Sequence, residues 1–213
     1  MTEAVDHLPN EPLQTQRLQR WRPRIVHARE EVDLRAAELA AADLLSALGL
    51  PIDSDDMAET PRRMAHALAE LLQPPAFDFT TFANSESYDE LVLVRDIPVR
   101  SVCEHHMLPF FGVAHVGYLP GERILGLSKL ARVVEFYARR AQTQERLTRQ
   151  VAEHLETHLE PLGVGVVVEA EHTCMSLRGA GVRGSRTVTS ALLGELRSSP
   201  SSRAEFLGLT RAQ

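Results

Sequence analysis

The sequence predicts an α+β domain: an antiparallel β-sheet with helices packed on one face, preceded by two further helices. Three observations predict it. Apolar residues recur at helical spacing in paired stretches, and runs rich in β-branched and aromatic residues also come in pairs. Their order is helices, strands, helices, strands and a mixed tail, rather than a regular alternation of strand and helix. A turn signal, Pro120-Gly121, follows one of the strands and suits an antiparallel neighbour.

Residues 1–24 are polar, carry Pro9, Pro12 and Pro23, and show no sustained period, which predicts a flexible arm whose Trp21 docks elsewhere. Residues 25–75 form a helical segment. Leu34, Ala37, Ala41, Leu44, Leu45 and Leu48 mark one helix face, and Gly49 with Pro51 supplies the stop. Thr60-Pro61 reads as a cap followed by proline at the first helical position, with Met64, Leu68, Leu71 and Leu72 as the buried stripe.

Residues 76–213 form the remaining domain. Leu91 to Val94 and Ile97 to Val102 read as strand interrupted at Arg95-Asp96, and Phe110 to Leu119 as the strand that follows. Ser128 is expected to cap a helix carrying Leu130, Val133, Val134 and Tyr137. Leu147, Val151, Leu155 and Leu159 mark another that begins near Thr143. Val164 to Glu171 and Arg186 to Leu192 are the last strands. Extended geometry would put His172 and Cys174 on one face, two residues apart. A sheet this small has open edges, and unpaired edges invite association into a ring.

Composition narrows the function classes. A formal charge of −6 argues against nonspecific nucleic-acid binding, although a local basic pocket remains compatible with a phosphorylated small molecule. No apolar run reaches the length of a membrane span, and the start Met1-Thr2-Glu3-Ala4-Val5-Asp6 lacks a signal peptide's apolar core, so a cytoplasmic location is expected. Cysteine occurs only as Cys103 and Cys174. In a reducing compartment such thiols are more often free, catalytic or metal-bound than bridged.

The chemistry concentrates in Ser101 to Phe110, read with His172-Thr173-Cys174. Cys103 and His106 are three apart, a spacing at which one tight turn aims both at a single ion. If Cys174 joins them, two thiolates and one imidazole suit zinc and leave a position for water, as in catalytic rather than structural sites. His105 and His172 then remain beside the metal as proton carriers. A pair of buried thiols and surface histidines is the bland alternative.

Four ordered segments resemble GTP cyclohydrolase I: Cys103-Glu104-His105-His106 with Pro109-Phe110; Gly126 to Arg132; Gln142 to Thr148; and His172-Thr173-Cys174-Met175 through Arg178-Gly179 to Ser190. The resemblance implies the tunnelling fold, a homodecameric ring, and conversion of GTP and water to 7,8-dihydroneopterin triphosphate and formate. It implies Zn2+ on Cys103, His106 and Cys174, with His105 and His172 moving protons. It also implies triphosphate contacts from Ser128, Lys129, Arg132 and Arg178, and guanine contacts from Gln144 and Glu145. The residue types suit those roles, since Lys and Arg bind phosphate and a carboxylate accepts from guanine's N–H edge. Backbone N–H groups at the helix start by Ser128 would add to an anion site.

Two departures stand out: His66 where the family usually has lysine, and the less basic turn Ala180-Gly181-Val182-Arg183. Arg139, Arg140, Arg146 and Arg149 read as a solvated helix face. His66, His115, His154 and His158 read as solvated or core residues. A non-catalytic purine- or pterin-binding relative would not need a metal with an open position. A nucleobase deaminase would need His-x-Glu and Pro-Cys-x-x-Cys, which the sequence lacks.

Overall fold

The computed structural model describes residues 24–25 and 31–211. The expected arm, Trp21 included, lies outside them, apart from Arg24. A short strand β1 (Arg24–Ile25) pairs antiparallel with β2 (Phe77–Asp78).

Helix α1 (Leu34–Ala47) begins on Asp33, whose carboxylate accepts the Ala36 N–H. It ends in a Schellman motif: Leu50 N–H returns to Leu45 O and Gly49 N–H to Ser46 O, with Gly49 at φ +80°. Ala41 and Leu45 are buried, whereas Leu44 and Leu48 of the expected stripe stand exposed, because α1 packs chiefly on α2 (Thr60–Leu71) and nothing among the described residues covers its outer side. Thr60 is not the cap. Glu59 takes the N-cap position without a side-chain cap bond and pairs instead with Arg62 at 2.7 Å, while Pro61 sits in the first turn as predicted.

The main sheet runs β7–β4–β5–β8–β9, where β4 is Val92–Cys103, β5 Pro109–Leu119, β7 Ala141–Gln142, β8 Gly163–His172 and β9 Thr187–Gly194. All neighbours are antiparallel except β7 with β4. The expected interruption at Arg95-Asp96 is a bulge inside one continuous strand, with Asp96 at φ +56° and its N–H donated to His115 Nδ1 at 3.3 Å. A small second sheet joins β3 (Thr81–Ala83) to β6 (Arg123–Leu125).

Helices α3 (Ser128–Ala138) and α4 (Gln144–Leu159) cover one face of the sheet. Leu130, Val133, Val134, Leu147, Val151 and Leu155 bury against Ala114, Val116, Val164, Val166 and Val168. Each such side chain contributes about 1.5–3 kcal/mol by leaving water, and this layer holds the site's scaffold rigid. Beyond the prediction, α6 (Glu195–Ser198) and α7 (Pro200–Thr210) fold the tail back to bury Leu196 and Phe206 against Leu119 and Val167 on the opposite face. Gly165 permits this, since a Cβ there would lie 2.7 Å from the Phe206 ring.

Candidate metal centre

Cys103 ends β4, buried beneath the α3–α4 layer, and the chain reverses over Glu104 to Leu108 before β5. Cys103 N–H donates to Leu108 O at 2.8 Å, Met107 N–H donates to Cys103 O at 2.8 Å, and Met107 takes a left-handed φ of +54°. This turn brings His106 Nδ1 to 3.7 Å from Cys103 Sγ. Cys174 completes the group, and the three ligand atoms lie within 4.8 Å of one another.

Strand alternation is not what delivers Cys174. The chain leaves β8 at His172 and enters a single helical turn, α5 (Thr173–Ser176), so Cys174 reaches the group from a helix. Thr173 Oγ1 donates to Pro109 O at 2.6 Å and fastens that turn to the strand after the Cys-His loop.

The donor set fits zinc. Two bonds of about 2.3 and 2.1 Å at a tetrahedral angle place sulfur and nitrogen about 3.6 Å apart, close to the 3.7 Å between Cys103 and His106. Both cysteines are free. Burial, and then the neighbouring Cys103 sulfur, raise the Cys174 thiol above its ordinary range. Two thiolates this close repel, and a divalent cation removes that penalty.

His172 stacks on Phe110 with ring centroids 4.5 Å apart and planes at 9°, and its Nε2 lies 2.8 Å from Gln144 Oε1. Burial lowers its pKa, partly opposed by the nearby Glu145 carboxylate. Glu145 is exposed in the first turn of α4, and Arg178 is exposed beyond α5, close enough to act on the Cys174 charge. Gln144 is buried, its amide nitrogen within bonding distance of Val168 O, Thr187 O and Thr189 Oγ1. That side chain is engaged with the protein rather than presented to solvent.

Ser128, Lys129 and Arg132 are elsewhere. The C-terminal end of α3 leads into Ala141, which pairs with Val102 beside Cys103. Its 11 residues therefore carry Ser128 about 16 Å away along the helix axis. At that far end Leu125 N–H donates to the Tyr118 hydroxyl, and Tyr118 pairs with Val92, the other end of β4 from Cys103. Nor is Ser128 the cap: Leu127 holds the N-cap position, and the N–H groups of Lys129 and Leu130 already serve Gly126 O and Leu127 O. Ser128 and Arg132 are exposed.

Arg146 is exposed as expected of a helix face, but it also makes specific contacts. It pairs with Glu104 inside the turn between Cys103 and Leu108, and its Nε donates to Gln142 Oε1 at 2.6 Å. Helical position hides this, because the partner is 42 residues away. Arg140 lies 4.9 Å over both Phe136 and Tyr137. Arg139 pairs with Glu135 and Arg149 with Glu153 on helix surfaces. His66 is exposed and bonded to Glu38, while His115 and His154 are buried.

The family model for GTP cyclohydrolase I matches residues 37–211. A relative from Mycobacterium leprae (strain Br4923) is 49% identical over 182 residues, covering 83% of this chain and 89% of that protein. One from Thermobifida fusca (strain YX) is 51% identical, covering 84% and 88%, and one from Streptomyces griseus 52% identical, covering 85% and 92%. Each is named GTP cyclohydrolase 1. With the match running through every segment that builds the centre, the chain belongs to the GTP cyclohydrolase I family.

Proposed function

We propose that the protein is a zinc-dependent GTP cyclohydrolase I. It hydrolyses GTP at purine C8, opens the imidazole ring, releases formate and rearranges the remainder to 7,8-dihydroneopterin triphosphate. The observation that carries this reading is the convergence of Cys103, His106 and Cys174, with His105 in the same turn and His172 two residues before Cys174. Zinc bound there would supply Lewis acidity, turning water into a nucleophile near neutral pH.

The remaining roles belong to the chain. His105, exposed at the turn, protonates the ring nitrogen beside C8. His172, held between Phe110 and Gln144 and favoured neutral by burial, accepts and returns protons during ring opening and the ribose rearrangement. Glu145 accepts hydrogen bonds from the guanine edge, with Gln144 supporting it from the adjacent position. Arg178 meets the triphosphate from the α5 side.

Ser128, Lys129 and Arg132 take the triphosphate as well, but from a second copy, because in one chain they stand at the far end of the sheet from Cys103. Among the described residues, the outer edge of β9 and most of the β4 edge facing away from β5 lack a strand partner, which suits a ring, as in a decamer, that extends the sheet. Residues 76–213 then form the catalytic tunnelling-fold domain, with the helices of residues 25–75 appended. No helix among the described residues is long and apolar enough to cross a membrane, and a cytoplasmic setting suits the reaction.

The test is incubation of the metal-loaded protein with GTP while following pterin fluorescence and formate. Both should rise together. Binding without turnover would make the protein a non-catalytic purine- or pterin-binding relative, and ammonia in place of formate would make it a deaminase.

A further inference from the structure

Glu104 sits between a metal ligand and the proposed proton donor, and it is held from both ends. Its N–H donates to Gln142 O at 3.1 Å, and its Oε2 takes Arg146 Nη2. The other carboxylate oxygen, Oε1, faces His105 Nε2 at 3.8 Å. Arg146 is itself anchored, through Nε to Gln142 Oε1 at 2.6 Å and through Nη2 to Ala141 O at 3.2 Å. Gln142 is fully buried and donates to Tyr137 O at 3.0 Å and to Gln150 Oε1 at 2.9 Å. A bonded row therefore runs from the interior between α3 and α4 through Gln142 and Arg146 to Glu104, whose Oε1 stands next to the His105 imidazole at 3.8 Å, outside hydrogen-bond distance.

An isolated pair this exposed would contribute little to stability. Side-chain exposures of 43% for Arg146 and 31% for Glu104 fall in that regime. What the row does is remove freedom, because the guanidinium fork is already fixed by uncharged acceptors before the carboxylate meets it. The turn does not depend on the pair to fold: the bonds from Cys103 N–H to Leu108 O and from Met107 N–H to Cys103 O are independent of Arg146.

We propose that Arg146 and Glu104 are positioning residues for the reaction, which set the direction of the His105 ring relative to the turn that carries Cys103 and His106. The inference rests on His105 as the proton donor. Displacing such a group by about 1 Å costs on the order of a hundredfold in rate even where binding is intact.

The test compares Arg146→Ala, Glu104→Gln and the double variant, each loaded with zinc, for metal per chain, melting temperature, kcat and the KM for GTP. Each single change should lower kcat about 10- to 100-fold while KM stays within about twofold and zinc content is unchanged. The double variant should be no slower than the slower single, because both act through one link. Glu104→Gln carries the test if Arg146→Ala does not fold. Parental kcat in either single, a loss of kcat that tracks lost zinc, or additive losses in the double would overturn the proposal. His105→Ala, run alongside, separates the two failures: an active His105→Ala removes the assignment beneath, whereas an inactive one beside a fully active Arg146→Ala removes only this inference.

Discussion

The Gln144 side-chain oxygen lies 2.8 Å from His172 Nε2, while its amide nitrogen faces Val168 O at 3.0 Å and Thr187 O at 2.9 Å. Because the nitrogen meets only oxygen acceptors, the amide cannot flip without setting acceptor against acceptor. The oxygen toward His172 then requires a hydrogen on Nε2, so the neutral ring keeps Nδ1 as its acceptor. Gln144→Ala should therefore cost about 1–3 kcal/mol of stability through the stranded carbonyls. It should also lower kcat more than it raises the KM for GTP. Urea unfolding and steady-state kinetics check both, and a variant with parental kcat would show that His172 does not need this partner.

Cys103 is one of the three proposed ligands and ends the strand that carries the turn. Cys103→Ala should abolish both bound metal and formate release while the α3–α4 layer keeps the fold, as circular dichroism and metal analysis would record. Full activity without metal would refute the zinc assignment. Chelation of the parent should likewise stop turnover, and added zinc should restore it.

His105 makes no ligand bond in the assignment above. His105→Ala is expected to retain the metal and lose turnover, by about a hundredfold or more if it supplies general acid catalysis. A folded but metal-free variant would move His105 into the ligand set.

His154 is buried with its Nε2 unpartnered and stacks on His158 at 4.2 Å, and burial lowers its pKa to about 3 from an ordinary 6.5. The unfolded chain thus binds a proton that the folded chain refuses. Its contribution is fully present above pH 6.5 and is lost progressively as pH falls toward about 3, amounting to a few kcal/mol at the lower end. His115, also lowered by burial, acts in the same direction. Unfolding free energies measured across that range should fall with pH, and less steeply in His154→Phe; an equal slope would assign the effect elsewhere.

Gly165 and Gly117 are cross-strand partners, and a Cβ on them would meet the Phe206 ring at 2.7 and 3.2 Å. Gly165→Ala should lift α7 from the sheet and cost about 1–3 kcal/mol. Coupling with Phe206→Leu should make the double variant less destabilised than the sum of the singles. Metal binding should survive, since Phe206 packs at the end of the sheet away from Cys103.

Elements whose order is local were legible. The Leu147, Val151, Leu155, Leu159 stripe predicts α4, and the bulge at Arg95-Asp96 falls where the strand pattern breaks. Caps were less so: Thr60 and Ser128 have the chemistry of a cap yet lie inside their helices, because the preceding residues Glu59 and Leu127 already adopt helical angles. Leu44 and Leu48 show the limit of periodicity, which marks an apolar face without saying what covers it.

From residue types and spacing alone came the candidate ligands Cys103, His106 and Cys174, and the two histidines beside them, because metal chemistry restricts which side chains can serve. Folding decided how they meet: a helical turn rather than strand alternation delivers Cys174, the exposed Arg146 reaches Glu104, and the buried Gln144 reaches His172. Folding also parted Ser128, Lys129 and Arg132 from Cys103 within one chain. The reason is that side-chain chemistry is local to a residue, whereas distance between residues far apart in sequence depends on which strands pair and which way each helix runs between them.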